Sequence, residues 1–335
     1  MKPQILPPNM LRHFYAGGAR IAALRGLELD SDHMPEEWLG AVNTAFGSAD
    51  RGLSRLEDGT LVRDAVAAEP EAWLGPDHVR RHGSDPGLLV KLLDAGQRLP
   101  VHFHPGRAFA REALGLAHGK TEAWLIVEAE PGAKVHASFT RPVELDEVRE
   151  WMRAQDSEAM LEALHEIPVA AGDAILIPAG TPHAIGAGIL MVELQEPTDL
   201  SVLLEWDGFE LSEDDGHLDL GWSRALEALD RTAWDPQRVA ELRGPGGDGG
   251  SLLPAAADPY FRAERLIGGS SIDPGFSVLV GVAGAGTLAM EAAELPFGRG
   301  SAVLVPFASG AGELQGDVEA LRARPPDATA GEGRW

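Results

Sequence analysis

From residue 85 to residue 206 the chain consists largely of short apolar or alternating runs separated by Gly and Pro. The runs are LLVKLLD, LPVHFH, EAWLIVEA, AKVHASF, AILIPAG, GILMVELQE and LSVLLEW. Such runs between turn residues indicate antiparallel strands in a sandwich or barrel. Within 143–166 the apolar side chains instead recur at helical spacing, which predicts a helical insertion between two strands.

A second region of strand-like sequence follows residue 251. The stretches FSVLVGVAGAGTLAM and GSAVLVPFASG indicate a smaller β domain. The two regions are separated by a predicted helix, GWSRALEALDRTAW, and by RGPGGDGGS at 243–251, whose glycines predict a flexible linker. Ahead of the first region, DGTLVRDAVAAEPEAWLG is helix-like.

These patterns predict a mainly β protein built from two β domains, with a helical insertion and a helical connection. The predicted parts are an N-terminal segment that packs on the first domain (1–84), the first domain (85–207, with its helical insert at 143–166), the connection and linker (208–251), the second domain (252–326) and a tail (327–335).

The two β regions share a strand-and-turn pattern, GDAILIP at 172–178 and GSAVLVP at 300–306. Five residues past the proline, the first copy has His183 and the second has Ala311. No histidine occurs beyond His217. The framework itself therefore does not require histidine, and the histidines of the first copy need another explanation.

Composition excludes several classes of function. The chain has no Cys, so it has no disulfide, no thiolate nucleophile and no Cys-ligated metal. Its 52 acidic and 28 basic residues give a net charge of -24, which disfavours nucleic acid and anionic membranes as partners. No secretory signal pattern and no membrane-spanning apolar run is visible, so we expect a cytoplasmic protein.

His102 and His104 lie one residue apart in LPVHFH, so a strand directs both imidazoles to one face. A buried histidine is more often a hydrogen-bonded core residue than a ligand. Here, however, Glu122 in GKTEAW and His183 in PAGTPHAIG follow on further predicted strands. Three imidazoles and one carboxylate suit Zn, Mn, Fe, Co or Ni, and the sequence does not choose among them.

The same arrangement resembles the cupin jelly roll. In particular, LLVKLLDAGQRLPVHFHP, HGKTEAWLIVEAEPGAKV and VAAGDAILIPAGTPHAIGAGILMVELQEPTD resemble the short bacterial form of the type I mannose-6-phosphate isomerases. The resemblance covers most of 85–325. It implies two cupin barrels, the second without metal, and interconversion of mannose 6-phosphate and fructose 6-phosphate.

The resemblance also implies site residues. The family holds zinc with Gln, His, Glu and His, which match His102, His104, Glu122 and His183, so that His102 stands in place of the family glutamine. Pro100 and Leu203 stand where the family has Ser and Arg. The implied acid/base and substrate residues are Glu193, Lys120, Lys91 and Asp199, with Arg107 and Arg111 as candidates to replace the missing arginine.

These departures leave two alternatives open. The chain is then either a cupin metalloenzyme acting on a different, unphosphorylated substrate, including an Fe or Mn oxygenase, or a sugar-binding cupin without catalysis. The sequence does not indicate an oligomeric state.

Overall fold

A computed structural model describes residues 1–245 and 250–327. The centre of the predicted linker, 246–249, and the tail from 328 lie outside the described residues. The chain is mainly β, with 32% strand and 22% helix, which confirms the predicted class. None of the helices in the described part is long and apolar enough to cross a membrane.

The strands are short, apart from two long ones near the C-terminus. In chain order they are β1 Gln4–Ile5, β2 Met10–Leu11, β3 Glu36–Leu39, β4 Leu89–Ala95, β5 His102–Phe103, β6 Glu122–Ala129, β7 Lys134–Phe139, β8 Leu164–Pro168, β9 Ala174–Ile177, β10 His183–Ile185, β11 Ile189–Gln195, β12 Val202–Leu203, β13 Arg262–Ile267, β14 Ser271–Ile272, β15 Ser277–Met290, β16 Ala293–Gly298, β17 Ala302–Val305 and β18 Gly312–Arg324.

The helices are also short. They are α1 Ala19–Arg25, α2 Val62–Ala68, α3 Pro70–Leu74, α4 Pro76–His82, α5 Arg107–Phe109, α6 Leu145–Ala154, α7 Ser157–Glu162, α8 Trp222–Ala225 and α9 Pro236–Ala240. A π-helical turn spans Ala110–Leu114, and 3-10 turns span Glu213–Gly216, Leu226–Ala228, Ala255–Ala257 and Phe307–Ser309.

Two antiparallel sheets form the first β region. One has the strand order β2-β3-β4-β11-β6-β9, and the other has the order β12-β5-β10-β7-β8. Their facing side chains share one core, in which Leu93, Trp124 and Met191 of the first sheet pack with Val135 and Ile185 of the second. This arrangement confirms the predicted sandwich of antiparallel strands.

The six-stranded sheet is buried on both faces. Leu92 and Val192, which point away from the first core, pack with Val278, Val280 and Leu304 of the C-terminal sheet. That sheet has the order β1-β17-β15-β18-β13, with β14 on β18 and β16 on β15. Because both faces are covered, β4 and β11 consist of buried residues throughout, which explains their nearly continuous apolar sequences.

The N-terminal segment contributes to both β regions. β2 and β3 extend the six-stranded sheet, whereas β1 pairs with β17 of the C-terminal sheet. The predicted helix at 58–75 is present as α2 and α3. A new helix starts at Pro70, because proline lacks the N–H that a continuous helix would need there.

The helical insertion and connection are confirmed, with one correction to the connection. α6 and α7 lie between β7 and β8, and Val148, Met152 and Met160 pack in a core beside the sandwich. The helix predicted over 221–234 is too long. It ends as a 3-10 turn at Ala228, and Leu229 is extended.

Candidate metal and substrate site

Three buried histidines meet at one end of the sandwich. β10 pairs with β5 so that His183 lies opposite His102, and His104 follows two residues after His102. The ring centroids lie 4.1 Å apart for His102 and His183, 4.8 Å for His104 and His183, and 5.0 Å for His102 and His104. The strand register therefore brings the three predicted ligands to one point.

A backbone carbonyl fixes the orientation of each ring. Nδ1 of His102, His104 and His183 lies 2.8 Å from Pro100 O, 2.7 Å from Leu200 O and 2.8 Å from Thr181 O. A carbonyl oxygen can only accept a hydrogen bond, so each Nδ1 carries the hydrogen and donates it. In a neutral ring the lone pair then lies on Nε2. This tautomer is the one that binds metal through Nε2.

Burial keeps the imidazoles of His102 and His104 neutral. It lowers the pKa of His102 well below its ordinary value, and the neighbouring His183, His104 and Lys120 act in the same direction. Burial and the Lys120 ammonium likewise lower the pKa of His104 to about 3. Near neutral pH the two rings therefore present free nitrogen lone pairs.

Glu122 supplies the carboxylate. Its Oε2 lies 3.0 Å from His104 Nε2 and its Oε1 lies 3.3 Å from His183 Nε2. Burial raises the pKa of Glu122, but Lys120 and His104 outweigh burial and hold that pKa well below the usual range. Trp124 Nε1 donates to its Oε1 at 3.1 Å.

The donor set fits a divalent metal ion. The His102, His104 and His183 ligand atoms lie within 4.8 Å of one another. His183 Nε2 is buried without a hydrogen-bond partner, and a buried polar atom in that state costs free energy unless something else binds it. Three imidazoles and one ionised carboxylate could hold such an ion.

Two buried lysines lie at the same site, Lys91 on β4 and Lys120 just before β6. Lys120 Nζ lies 3.1 Å from both Glu122 Oε2 and His104 Nε2. Lys91 Nζ lies 3.1 Å from Glu36 Oε2, and 3.8 Å and 4.0 Å from carboxylate oxygens of Glu193 and Asp199. Burial lowers the pKa of Lys91, but the carboxylates outweigh burial and raise it, so the ammonium stays charged.

Glu193 lies between these groups. On β11 it pairs with Lys91 of β4 and with Trp124 of β6, which directs its side chain to the inner face. Burial and the Glu122 charge raise the pKa of Glu193 to about 8, against the opposing effect of Lys91 and Lys120. Its Oε2 has no hydrogen-bond partner. A buried carboxyl group with a raised pKa is suited to proton transfer.

A cavity of about 410 Å³ opens above this floor. His102, Lys91, Lys120, Glu122, Glu193 and Asp199 line it, while His104 and His183 lie behind them. Its size suits a small molecule such as a sugar phosphate.

The two candidate arginines require a correction, because neither lines the cavity. After Pro105 the chain turns into α5 and the π-helical turn, which carry Arg107 and Arg111 away from the site. Arg107 pairs with Glu196 and lies 4.5 Å over the Tyr260 ring. Arg111 is exposed.

The sequence interpretation missed a buried network around Glu36. Its carboxylate accepts hydrogen bonds from Tyr15 Oη and Trp38 Nε1, each at 2.8 Å, and lies 3.2 Å from His13 Nε2. The ion pair with Lys91 completes this network. The signal was present in EEWLGA, where two acidic residues precede an apolar run, but its partners are distant in sequence.

Relatives of the chain share one name. A mannose-6-phosphate isomerase from Streptococcus mutans is 32% identical over 204 residues, which cover 59% of this chain and 58% of that protein. Mannose-6-phosphate isomerase ManA from Bacillus subtilis is 26% identical over 323 residues, which cover 91% of this chain and 93% of that protein. The resemblance to mannose-6-phosphate isomerases is confirmed.

The solved structure of the mannose 6-phosphate isomerase from Bacillus subtilis superposes with a TM-score of 0.74 at 20% identity, covering 97% of this chain and 100% of that one. This likeness confirms the cupin fold that the resemblance implied. The chain thus spans about 58% of the Streptococcus relative and nearly all of the Bacillus proteins. No family model matches the chain.

Proposed function

We propose that the chain is a metal-dependent aldose-ketose isomerase that interconverts mannose 6-phosphate and fructose 6-phosphate. The observation that carries the proposal is one cavity floor that joins a metal-binding set to Glu193, a buried carboxyl group with a raised pKa. The similarity to mannose-6-phosphate isomerases supports the choice of substrate. A cytoplasmic location stays a prediction from the sequence.

His102, His104, Glu122 and His183 would hold the ion. We propose zinc, as in the resembled family, and Mn, Fe, Co and Ni suit the same donors. A bound divalent ion would supply Lewis acidity to the oxygens of the sugar.

In the proposed reaction, Glu193 moves the proton between carbons. Its carboxylate takes the proton from C2 of open-chain mannose 6-phosphate while the C1 carbonyl oxygen gains a proton, which gives an enediol. The same carboxyl group returns a proton to C1, and the C2 hydroxyl loses its proton to become the ketone. Solvent water supplies the proton that the C1 oxygen gains and accepts the proton that the C2 hydroxyl loses. The protons therefore balance, and the sugar is neither oxidised nor reduced overall.

The lysines support this transfer electrostatically. Lys120 adjoins the metal donors and Lys91 adjoins Glu193, so both ammonium groups lie near the developing oxygen charge. Because they are buried and already held by carboxylates, they need little reorganisation during the reaction.

The test is conversion of mannose 6-phosphate in deuterium oxide by the metal-loaded protein, followed by NMR. We expect fructose 6-phosphate that carries deuterium at C1, because the proton on Glu193 exchanges with solvent. Absence of fructose 6-phosphate would refute the proposed reaction. Product without any deuterium would refute a solvent-exchanging Glu193.

A further inference from the structure

Two arginines of the N-terminal segment stand at the cavity that holds Glu193 and Lys120. Arg12 directly follows β2, and Arg51 lies in the turn before Gly52. Both line the cavity. The guanidinium of Arg51 donates a hydrogen bond to the carbonyl of Arg12, so the two residues are in contact although 39 positions separate them.

The charges of these arginines are less compensated than those of the buried lysines. Lys91 and Lys120 each lie 3.1 Å from a buried carboxylate. Within the described part of the chain, Arg51 has no acidic partner, since its hydrogen bond is to a neutral carbonyl. Arg12 pairs with Glu210 at 2.8 Å, but the two side chains are 60% and 51% exposed, and such pairs are weak.

The turn that carries Arg51 is held in place. Asn9 Nδ2 donates to Gly52 O at 2.9 Å, and Ala45 N donates to Arg51 O at 2.8 Å. Gly52 has φ +100, and a Cβ there would lie 2.4 Å from a Trp38 ring carbon. The guanidinium is therefore presented from a fixed backbone, which lowers the entropy cost of binding a ligand.

We infer that Arg12 and Arg51 form the subsite for the phosphate of the substrate. This inference rests on the proposed isomerase function, in which C1 and C2 react at the cavity floor. The phosphate sits on C6, at the opposite end of the carbon chain, and so extends toward the mouth. Two guanidinium groups that line one cavity can bind a phosphate dianion with paired hydrogen bonds.

The apolar Leu203 lines the same cavity at the position where the resembled family has an arginine. Lys91 and Lys120 also line this cavity, but carboxylates already hold them. The N-terminal segment provides two further cations, Arg12 and Arg51, for the phosphate. Glu210 competes for Arg12, so the phosphate displaces that carboxylate when it binds.

The experiment compares Arg51→Gln, Arg12→Gln and Arg51→Lys with the control Arg55→Gln. Arg55 is exposed, lies four residues from Arg51 and bonds to Gly59 O outside the cavity. We expect the KM for mannose 6-phosphate to rise about 10-fold or more in Arg51→Gln and in Arg12→Gln, as for loss of a charged hydrogen-bonding partner, with kcat within about 3-fold. Arg51→Lys should recover part of the loss, and Arg55→Gln should match the wild type.

A second measurement does not depend on turnover. Calorimetry with inorganic phosphate on the metal-loaded protein should show weaker binding for Arg51→Gln than for Arg55→Gln, and tighter binding for Glu210→Gln than for wild type. Turnover with unchanged KM and phosphate affinity in both Arg→Gln variants would overturn the subsite while the isomerase function stands. Phosphate binding that depends on Arg51, without any turnover, would support the subsite and refute the reaction.

Discussion

His104 faces the metal donors with Nε2 and a backbone carbonyl with Nδ1. Replacing it with Ala removes one donor and leaves Glu122 and Lys120 without that neighbour. We expect His104→Ala to weaken zinc binding by more than about 100-fold, beyond the loss usual for a group that only supports a ligand. Competition with a chromogenic chelator measures the affinity.

His136 provides a matched control for this prediction. It lies on β7 beside β10, but it pairs with Ala184 while Ala137 pairs with His183. Its side chain therefore lies on the opposite face from the metal donors. His136→Ala should keep the affinity of the wild type, and an equal loss in both variants would contradict the assigned ligand set.

Glu193→Gln keeps the size of the side chain and removes the carboxylate that carries the proton. We expect kcat to fall by about 100-fold to 10,000-fold, the usual range for loss of a general base, while the metal content stays that of the wild type. Steady-state kinetics and elemental analysis of the same preparation check both. Glu128→Gln, at an exposed pair with Arg299, is the control. Full activity in Glu193→Gln would exclude this residue as the base.

At the scale of elements, two segments that lead into the site are joined through His118. Its Nε2 lies 2.7 Å from Asp85 Oδ2 in the segment before β4. Glu196, which faces His118 from the other side at 3.9 Å, accepts from Thr121 N at 2.9 Å just before β6. These contacts position the strands that carry Lys91 and Glu122.

This junction predicts a pH dependence of stability. Burial lowers the pKa of His118, but Asp85 and Glu196 outweigh burial and raise it above its ordinary value. The stabilisation from charged His118 is thus fully present below a pH of about 6.5, which is the pKa of histidine in the unfolded chain. It is lost as the pH rises through the pKa of His118 in the folded chain.

Urea unfolding of wild type and His118→Gln between pH 6 and pH 9 tests this junction. The difference in the free energy of unfolding should be largest near pH 6 and shrink as pH rises. A difference that grows with pH would contradict the charged His118.

The elements of the site were largely predictable from sequence because their signals are local. Glu122–Ala129 and Ile189–Gln195 have continuous apolar runs bounded by turn residues, and the spacing of His102 and His104 directs both to one face. The π-helical turn after Arg107 has no such signal. Together with α5 it places Arg107 and Arg111 outside the cavity lining, a placement that the sequence did not indicate.

At the scale of the whole molecule, the N-terminal segment connects the β regions. Leu6 is 2% exposed and packs in the core shared by the six-stranded and C-terminal sheets. Leu6→Ala should therefore lower the free energy of unfolding by about 2–4 kcal/mol. The preceding residue, Ile5 on β1, is 42% exposed, so Ile5→Ala should change the free energy of unfolding little. Equal losses of unfolding free energy in Leu6→Ala and Ile5→Ala, measured by denaturant unfolding, would contradict this packing.

The long-range part of the site could not be predicted from sequence. β1 and β2 are two residues each, too short for a periodic pattern, and their pairing depends on strands far along the chain. Glu36 reaches the cavity through the pairing of β3 with β4, and Arg12 through the pairing of β2 with β3. Arg51 reaches it through the turn that Asn9 holds. Local patterns predict which strands form, whereas the fold decides which distant side chains join them.

In the proposed function, one metal site in the first β region carries the isomerase activity. The decisive measurement strips metal from the protein, reloads it with Zn, Mn, Co or Fe in turn, and follows fructose 6-phosphate formation from mannose 6-phosphate in wild type and His104→Ala. We predict that wild-type activity is lost on stripping, returns with at least one ion, and stays low in His104→Ala. Inactivity with every ion, or activity that survives complete removal of metal, would contradict the account.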